Sequence, residues 1–459
     1  MRKTIILHHG RRLAALLPSD APAKKDPDMT RQELRLVVAG TMLIGVSYGL
    51  ARFAYGLFLP SMREDVGMSS AMAGAIGSGA YLGYCLAIVG SALLVERLGA
   101  RRVAVIAALI AAVGMAAISV STSAPWLAGA ILLAGASTGL ASPPMAQAVS
   151  VTITTAHQGR ANTVINAGTS LGVAISGPVA FAATGQWRIA YAAFAIAALL
   201  NALLLSISVP RADASDRRSD SPDKGRGAGI WRSHVAMLIL AAVGMGTASA
   251  AYWTFSSEAV VTLGHFDQAT ANIVWILIGV AGLAGGLAGD LVKHLGLDVV
   301  HRGSLAALAL SLCLLAVLPS SLPALLVSAA LFGGAYIMLT GVYLVWGIRL
   351  YADRPAIGLG LPFLMIAVGQ IVGSPLAGYL IGGQGYAFCF IAFALIALAT
   401  MLAGYRPDGQ KRADTRPPEA LKGAPASPRP SIPPFYMPAM PPLWLIERIG
   451  RLARRGSGR

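Results

Sequence analysis

The chain has 459 residues, of which 56% are hydrophobic and only 12% are charged. Soluble domains carry about 25% charged residues, so this composition excludes a water-soluble globular protein and indicates that lipid surrounds most of the chain. The net charge is +16. The basic residues lie in loops and tails between apolar runs, not on one face among aromatic residues, and this excludes nucleic acid as a partner.

Apolar runs long enough to cross a bilayer, about 20 residues each, follow one another along the chain. They lie at residues 36–60, 70–95, 101–121, 125–150, 161–184, 187–209, 234–257, 271–292, 299–319, 322–349, 356–381 and 385–404. The sequence therefore predicts an all-α membrane protein of about twelve transmembrane helices, with the lipid bilayer as its surroundings.

Polar segments divide these runs into two groups of six. We predict an N-terminal tail, an N-terminal six-helix bundle, a solvated linker, a C-terminal six-helix bundle, and a disordered, basic, proline-rich tail, at residues 1–33, 34–209, 210–232, 233–405 and 406–459. Met29 directly precedes the first run, so it is an alternative to Met1 as the initiator.

The basic residues are distributed asymmetrically between the two ends of these runs. Of the 36 Lys and Arg, 33 lie in the tails and in connections on the same side as the tails, whereas Arg63 and Arg188 lie on the other side and Arg52 lies within a run. Cytoplasmic loops carry the excess of Lys and Arg. We therefore predict that both termini are cytoplasmic and that the protein lies in a bacterial inner membrane.

A weak internal repeat relates the two groups of runs. Gly172 and Pro178 lie 197 residues before Gly369 and Pro375. Glu96 and Asp290, each near the end of an even-numbered run, lie 194 residues apart. Parallel six-helix repeats are a recurrent transporter architecture. Chance matching in a glycine-rich sequence is the alternative explanation.

Residues 90–102 read GSALLVERLGARR. This segment resembles the loop between helices two and three of the major facilitator superfamily; the matching residues are Glu96, Arg97, Gly99, Arg101 and Arg102. Residues 51–56 read ARFAYG and residues 59–62 read LPSM, and both are similar to the YbfB/YjiJ-like bacterial branch of that superfamily. The resemblance covers about residues 34–405.

The resemblance implies a major facilitator fold, alternating access, and a central cavity lined by helices one, four, seven and ten. It also implies that the matching loop residues, together with Asp290, latch the two halves. Two departures argue against drug/proton antiport: Gly135 stands where many proton-coupled efflux members have Arg, and no paired glycine follows Gly177 and Pro178.

Arg52 is the most informative candidate residue, because it lies within the first apolar run. An arginine in hydrocarbon costs at least a few kcal/mol and persists where it faces a cavity or a partner. Its planar donor fork suits a carboxylate, so we predict that Arg52 binds an anionic substrate group. A structural hydrogen bond to neighbouring carbonyls, or snorkelling past Pro60, are the alternatives.

Other polar and aromatic residues interrupt the apolar runs. We predict that a hydrogen-bonding stripe lines the cavity beside Arg52, although ordinary helix packing explains the same pattern; its residues are Tyr55, Tyr252, Trp253, Tyr336, Thr340 and Tyr343. Gly177, Pro178 and Pro375 are expected to bend helices five and eleven and to take part in gating.

The sequence contains no nucleophile–base arrangement, no phosphate-binding Gly-Lys-Ser/Thr motif and no metal-ligand spacing. We therefore predict no enzyme activity, no cofactor and no metal. We predict a monomeric transporter of a small solute. The solute is a small organic anion or, alternatively, a lipophilic compound for efflux. A non-transporting sensor or scaffold is a further alternative. Proton symport, exchange and facilitated diffusion stay open; Glu258 is the one acid expected near a cavity.

Overall fold

The structure, a computed structural model, describes residues 29–183, 185–210, 234–352 and 355–405. All secondary-structure elements assigned within these residues are helices. The predictions for the tail before residue 29, for the linker after residue 210 and for the tail after residue 405 fall outside the described residues.

Eleven helices in the described residues are long and apolar enough to cross a membrane, and a shorter apolar helix follows them. In chain order they are α1 Arg31–Val66, α2 Ser70–Leu98, α3 Ala100–Ser119, α4 Ala124–Thr152, α5 Thr155–Ala182, α6 Trp187–Ser208, α7 Val235–Thr262, α8 Gln268–Leu295, α9 Leu297–Val317, α10 Leu322–Leu350, α11 Pro355–Gln384 and α12 Tyr386–Thr400. The predicted all-α membrane fold is confirmed.

The first helix begins earlier than its apolar run, because a capping box sets its start. The Thr30 side chain accepts a hydrogen bond from the Glu33 backbone N–H at 3.2 Å, and the Glu33 carboxylate accepts one from the Thr30 backbone N–H at 2.7 Å. Two otherwise unpaired backbone donors are satisfied in this way. The helix therefore starts at Arg31 and continues to Val66.

Short connections make consecutive helices antiparallel. Single glycines join α2 to α3 and α8 to α9: Gly99 and Gly296 have φ of 82° and 88°, a region that side chains with a Cβ rarely adopt. One end of the bundle, here the tail end, holds residues 29, 210, 234 and 405. The opposite end, here the loop end, holds the connections 67–69, 120–123, 263–267 and 318–321.

Glycines let helices approach closely at equivalent places in the N-half (α1–α6) and the C-half (α7–α12). A Cβ at Gly135 on α4 would lie 2.2 Å from the Ala80 carbonyl oxygen on α2. A Cβ at Gly333 on α10 would lie 2.0 Å from the Ile278 carbonyl oxygen on α8. The contact in the N-half thus has a counterpart in the C-half, and both of its residues are shifted by the same number of positions along the sequence. This correspondence supports the internal repeat. The Gly135 contact also leaves no room for an arginine side chain there.

Within the described residues, the most extensive contacts between the two halves are those of α1 with α7, α2 with α11, and α5 with α8. Close backbone approaches in the first two pairs lie toward the loop end. A Cβ at Gly56 would lie 1.9 Å from the Trp253 carbonyl oxygen, and one at Gly74 would lie 2.3 Å from that of Ser374. By contrast, α4 packs against α2 and α3, and α10 packs against α8 and α9.

These contacts predict the cost of adding a methyl group. Gly135→Ala and Gly333→Ala place a Cβ against backbone that cannot rotate away, so each should destabilise the protein by about 1–3 kcal/mol. Gly303 has no neighbouring atom within 4 Å of the added Cβ. Gly303→Ala is the matched control and should be neutral or stabilising. Thermal unfolding in detergent measures all three; equal unfolding temperatures would contradict the packing described.

Candidate functional site

Arg52 lies in the middle of α1, where the helix widens. Residues Gly45–Phe53 form a π-helix, and Arg52 is the next to last of them. A Cβ at Gly49 would lie 2.5 Å from the Gly172 backbone, so glycines on α1 and α5 allow this wider turn to pack. Wide turns of this kind are frequent at functional sites. Arg52 itself is only 6% exposed.

Aromatic rings surround the Arg52 guanidinium. Its carbon lies 4.5 Å from the ring centre of Tyr81 and 5.0 Å from that of Tyr84, both on α2. The rings of Phe53 and Tyr48 on α1 follow at 5.2 and 5.7 Å. Ring faces attract a cation, by about 2 kcal/mol or more where water is excluded. We call these four side chains the ring cage.

The polar partners of Arg52 come from the C-half. Its Nη2 donates a hydrogen bond to Oε1 of Gln370 on α11 at 2.8 Å. The Gln370 amide then donates to the Tyr336 hydroxyl on α10 at 3.2 Å. The buried Arg52 Nε has no partner, and no carboxylate of the described residues forms an ion pair with Arg52. The site therefore carries an uncompensated positive charge.

A second aromatic group adjoins the ring cage. The Phe53 ring stacks on Trp253 of α7 with centres 4.1 Å apart, and Trp253 lies edge-on to Tyr336 at 5.1 Å. These rings join α1 of the N-half to α7 and α10 of the C-half. Trp253 and Tyr336, both predicted to line the site, thus lie against Phe53 of the ring cage.

Two further tyrosines of the predicted stripe point toward other helices. The Tyr55 hydroxyl donates to the Ala73 carbonyl on α2 at 2.9 Å. The Tyr252 hydroxyl pairs with the Ser328 hydroxyl on α10 at 2.9 Å. Each hydroxyl therefore has a partner within the protein, away from the guanidinium.

The other two predicted residues of α10 also have internal partners. The Tyr343 hydroxyl donates to the Ala241 carbonyl on α7 at 3.1 Å. The Thr340 hydroxyl donates to the Ile337 carbonyl one turn back, at 2.6 Å. Of the predicted stripe, Trp253 and Tyr336 are thus the members whose described contacts connect them with Arg52.

The predicted gating loop lies at the tail end, between α2 and α3. Glu96, Arg97 and Arg102 are exposed, and Arg101 is half-buried. No ion pair joins these four residues to one another within the described part of the chain. Gly99 supplies the positive-φ connection described above. The residues share a surface, and a gating role stays a prediction.

The predicted helix-bending residues lie inside continuous helices. Pro178 is within α5 and Pro375 within α11, and both helices continue past the proline. Gly177 packs against α8, where a Cβ would lie 2.3 Å from the Ile276 side chain. Asp290 is half-buried in α8. Gly177 is therefore placed at a joint between the halves.

An ion pair that the sequence did not predict joins the two halves at the loop end. Arg63 on α1 donates to Glu258 on α7, and its Nε also donates to the Met68 carbonyl at 3.0 Å. Both side chains border a cavity of about 610 Å³, which Glu64 and Tyr386 also line. The sequence indicated an acid near a cavity at residue 258, but nothing in it indicated that Arg63 is the partner.

The Arg52–Gln370 contact predicts a measurable stability difference. Gln370→Leu leaves a buried cation without its amide acceptor and should destabilise the protein by about 1.5–3 kcal/mol. Gln147 offers a matched control, because its buried Oε1 already lacks a partner. Gln147→Leu should therefore cost little. Unfolding temperatures in detergent compare the two, and equal losses would contradict a stabilising role of Gln370.

Comparisons with known proteins agree with this architecture. No curated protein sequence matches the chain. Among solved structures, the nucleoside transporter NupG aligns with a TM-score of 0.67 and 14% identity, over 82% of this chain and 99% of that one. The xylose transporter XylE from E. coli aligns with a TM-score of 0.66 and 15% identity, over 81% and 97%.

A bacterial homolog of the human lysosomal transporter Spinster aligns with a TM-score of 0.63 and 14% identity, over 82% of this chain and 95% of that one. At such identities these likenesses establish the fold alone. The family model described as Major Facilitator Superfamily matches residues 41–361, which is more than half of the chain. The chain therefore belongs to the Major Facilitator Superfamily.

Proposed function

We propose that this protein moves a small organic anion across the membrane by alternating access, and that Arg52 binds the anionic group. Membership of the superfamily supports membrane transport of a small solute. The observation that carries the choice of an anion is the buried guanidinium of Arg52, which has ring faces and one amide as neighbours and no carboxylate among the described residues.

A buried cation without a counter-ion attracts one. Ring faces and an amide oxygen replace part of its hydration, but they supply no negative charge. A carboxylate supplies that charge and accepts two parallel N–H bonds from the same guanidinium. The unpaired Nε is one such donor. Arg52 therefore favours a substrate with a carboxylate over a neutral analogue of the same shape.

The same neighbourhood disfavours a substrate with an ammonium group. Arg52 contacts Tyr48, Phe53, Tyr81 and Tyr84, and none of these side chains carries a negative charge at neutral pH. An ammonium group close to the guanidinium would meet like charge, and no acid of the described residues forms an ion pair there. A simple carboxylate therefore fits the site better than an amino acid does.

Substrate binding is linked to movement of the halves because the site is built from both. The ring cage belongs to the N-half, whereas Gln370 and Tyr336 belong to the C-half. When the halves separate, Arg52 loses its amide partner and a substrate carboxylate takes that position. A ligand that binds one arrangement better shifts the protein toward it.

The Lys and Arg distribution supports a cytoplasmic tail end, in a bacterial inner membrane. The close backbone approaches of α1 with α7 and of α2 with α11 lie toward the loop end, which supports an inward-facing state. The similar XylE and Spinster-homolog structures are described as inward open and inward-facing.

The proposal further divides the protein into two six-helix bundles, residues 34–209 and 233–405. It takes the protein to be a monomer and a member of the YbfB/YjiJ-like branch.

A ligand screen by thermal shift tests this proposal. Purified protein is heated with small carboxylates, amino acids and neutral analogues; a ligand at 100 times its dissociation constant stabilises by about 2.7 kcal/mol. We expect carboxylates to stabilise the parent protein. Arg52→Gln should abolish the shift. Gln370→Glu should also abolish it, because an internal carboxylate then neutralises the guanidinium.

Arg302→Gln is the matched control, since Arg302 pairs with Asp298 within α9, away from this site. It should keep the full shift. Carboxylate shifts that persist in Arg52→Gln would overturn the anion proposal. Shifts produced only by apolar neutral compounds would favour extrusion of a lipophilic compound, and no shift with any small molecule would favour a sensor or scaffold.

A further inference from the structure

The loop end contains two arginines, Arg63 and Arg188, and each has a carboxylate partner. Arg188 pairs with Asp65 at 2.5 Å, within the N-half. Arg63 pairs with Glu258, so this second ion pair joins α1 of the N-half to α7 of the C-half. Only the second pair must break when the halves separate at this end.

The two acids differ in their surroundings. The Asp65 side chain is 46% exposed, whereas that of Glu258 is 6% exposed. The second carboxylate oxygen of Glu258, Oε2, is buried and has no hydrogen-bond partner. Arg63 is thus the cation that balances the negative charge of Glu258, and the Tyr386 hydroxyl is a further, neutral hydrogen-bond partner of this carboxylate, while Asp65 also has water.

Other titratable groups face Glu258 from the neighbouring helices. Tyr386 at the start of α12 has its hydroxyl 3.4 Å from the Arg63 Nη1, and Glu64 on α1 lines the same cavity. Tyr55 on α1 lies nearby, with its hydroxyl bonded to the Ala73 carbonyl. Arg63 is the only cation among these groups. Once it moves away, the remaining neighbours are neutral tyrosines or a like-charged acid.

We propose that Glu258 is a proton-binding site whose occupancy is linked to opening of the protein at the loop end. A carboxylate that loses its arginine in an apolar setting binds a proton more readily. As the halves part, Arg63 leaves with the N-half and keeps its charge. Glu258 then takes one proton from the solution in the cavity, and it releases that proton when the ion pair re-forms.

This inference rests on the alternating opening proposed above, but not on the nature of the substrate. Proton uptake on opening means that a lower pH at the loop end favours the open state. By linkage, binding of one proton changes the ratio of open to closed protein by about tenfold per pH unit. This holds over the pH range between the two pKa values that Glu258 has in the closed and open states. An anion that enters at this end would then arrive together with proton uptake.

Labelling of a cysteine introduced where α7 and α11 meet measures this opening. Ser374 on α11 is fully buried, and its hydroxyl meets that of Thr254 on α7 at 2.9 Å. Ser374→Cys is close in size and should react with a water-soluble maleimide only when the loop end opens. Peptide mass spectrometry measures the extent of reaction at position 374. Each rate is divided by that of the denatured protein at the same pH, to correct for thiol ionisation.

In the Ser374→Cys protein without substrate, we expect the corrected labelling rate to rise as the pH falls from about 8 to about 5, by up to about tenfold per unit. Adding Glu258→Gln should make the rate high and independent of pH, since the amide cannot bind the proton. Arg188→Gln, which removes the arginine of the other ion pair, should leave the pH dependence unchanged.

A pH-independent rate in the Ser374→Cys protein would overturn the proposal without any further variant. An unchanged pH dependence in Glu258→Gln would also overturn it, because another group would then bind the proton. If the protein with Glu258→Gln does not fold, Arg63→Gln is combined with Ser374→Cys instead. This double variant should label faster at pH 8 than the protein with Ser374→Cys alone. These outcomes are independent of the anion screen, so the two proposals fail separately.

Discussion

A guanidinium stays in the middle of a membrane protein only if its neighbours replace the water that it has lost. At Arg52 the replacement is partial: four ring faces surround the cation, one amide oxygen accepts a hydrogen bond, and Nε has no partner. These groups reduce the cost of burial without cancelling the charge. The proposed anion specificity follows from this deficit.

The helix packing around the site depends on glycine. Close approaches at Gly49 and Gly172 bring α1 and α5 together, the approach at Gly135 brings α4 and α2 together, and the contact of Gly135 recurs at Gly333 in the C-half. Without a hydrophobic force between helices in lipid, small residues that allow close van der Waals contact hold such bundles together. The rings of Tyr81 and Tyr84 reach Arg52 from α2 of this bundle.

Much of this architecture could be predicted from the sequence. Apolar runs identify the helices, and Arg52 stands out because a charge in such a run is costly. Its partners could not be predicted, since Gln370 lies 318 residues away and pairing at that distance depends on how the halves dock. The π-helix of α1 has no periodic signal in the sequence, and its wider turn packs against α5.

The ion pair of Arg63 and Glu258 was missed for a related reason. A count of charges at each end of the helices treats Arg63 as an exception to the distribution of Lys and Arg, and says nothing of its partner. Tyr81 and Tyr84 lie three residues apart on α2, and Tyr48 lies four before Arg52. That spacing is a signal that could have placed aromatic rings on faces near the charge.

The central claim is that the Arg52 guanidinium receives the substrate's negative charge, and the most direct measurement is a structure with a brominated carboxylate bound. The account predicts an anomalous bromine signal beside the ring cage, with the carboxylate on Arg52 in place of the Gln370 amide. A bromine signal elsewhere, with the Arg52–Gln370 hydrogen bond intact, would contradict it and would make Arg52 a structural residue.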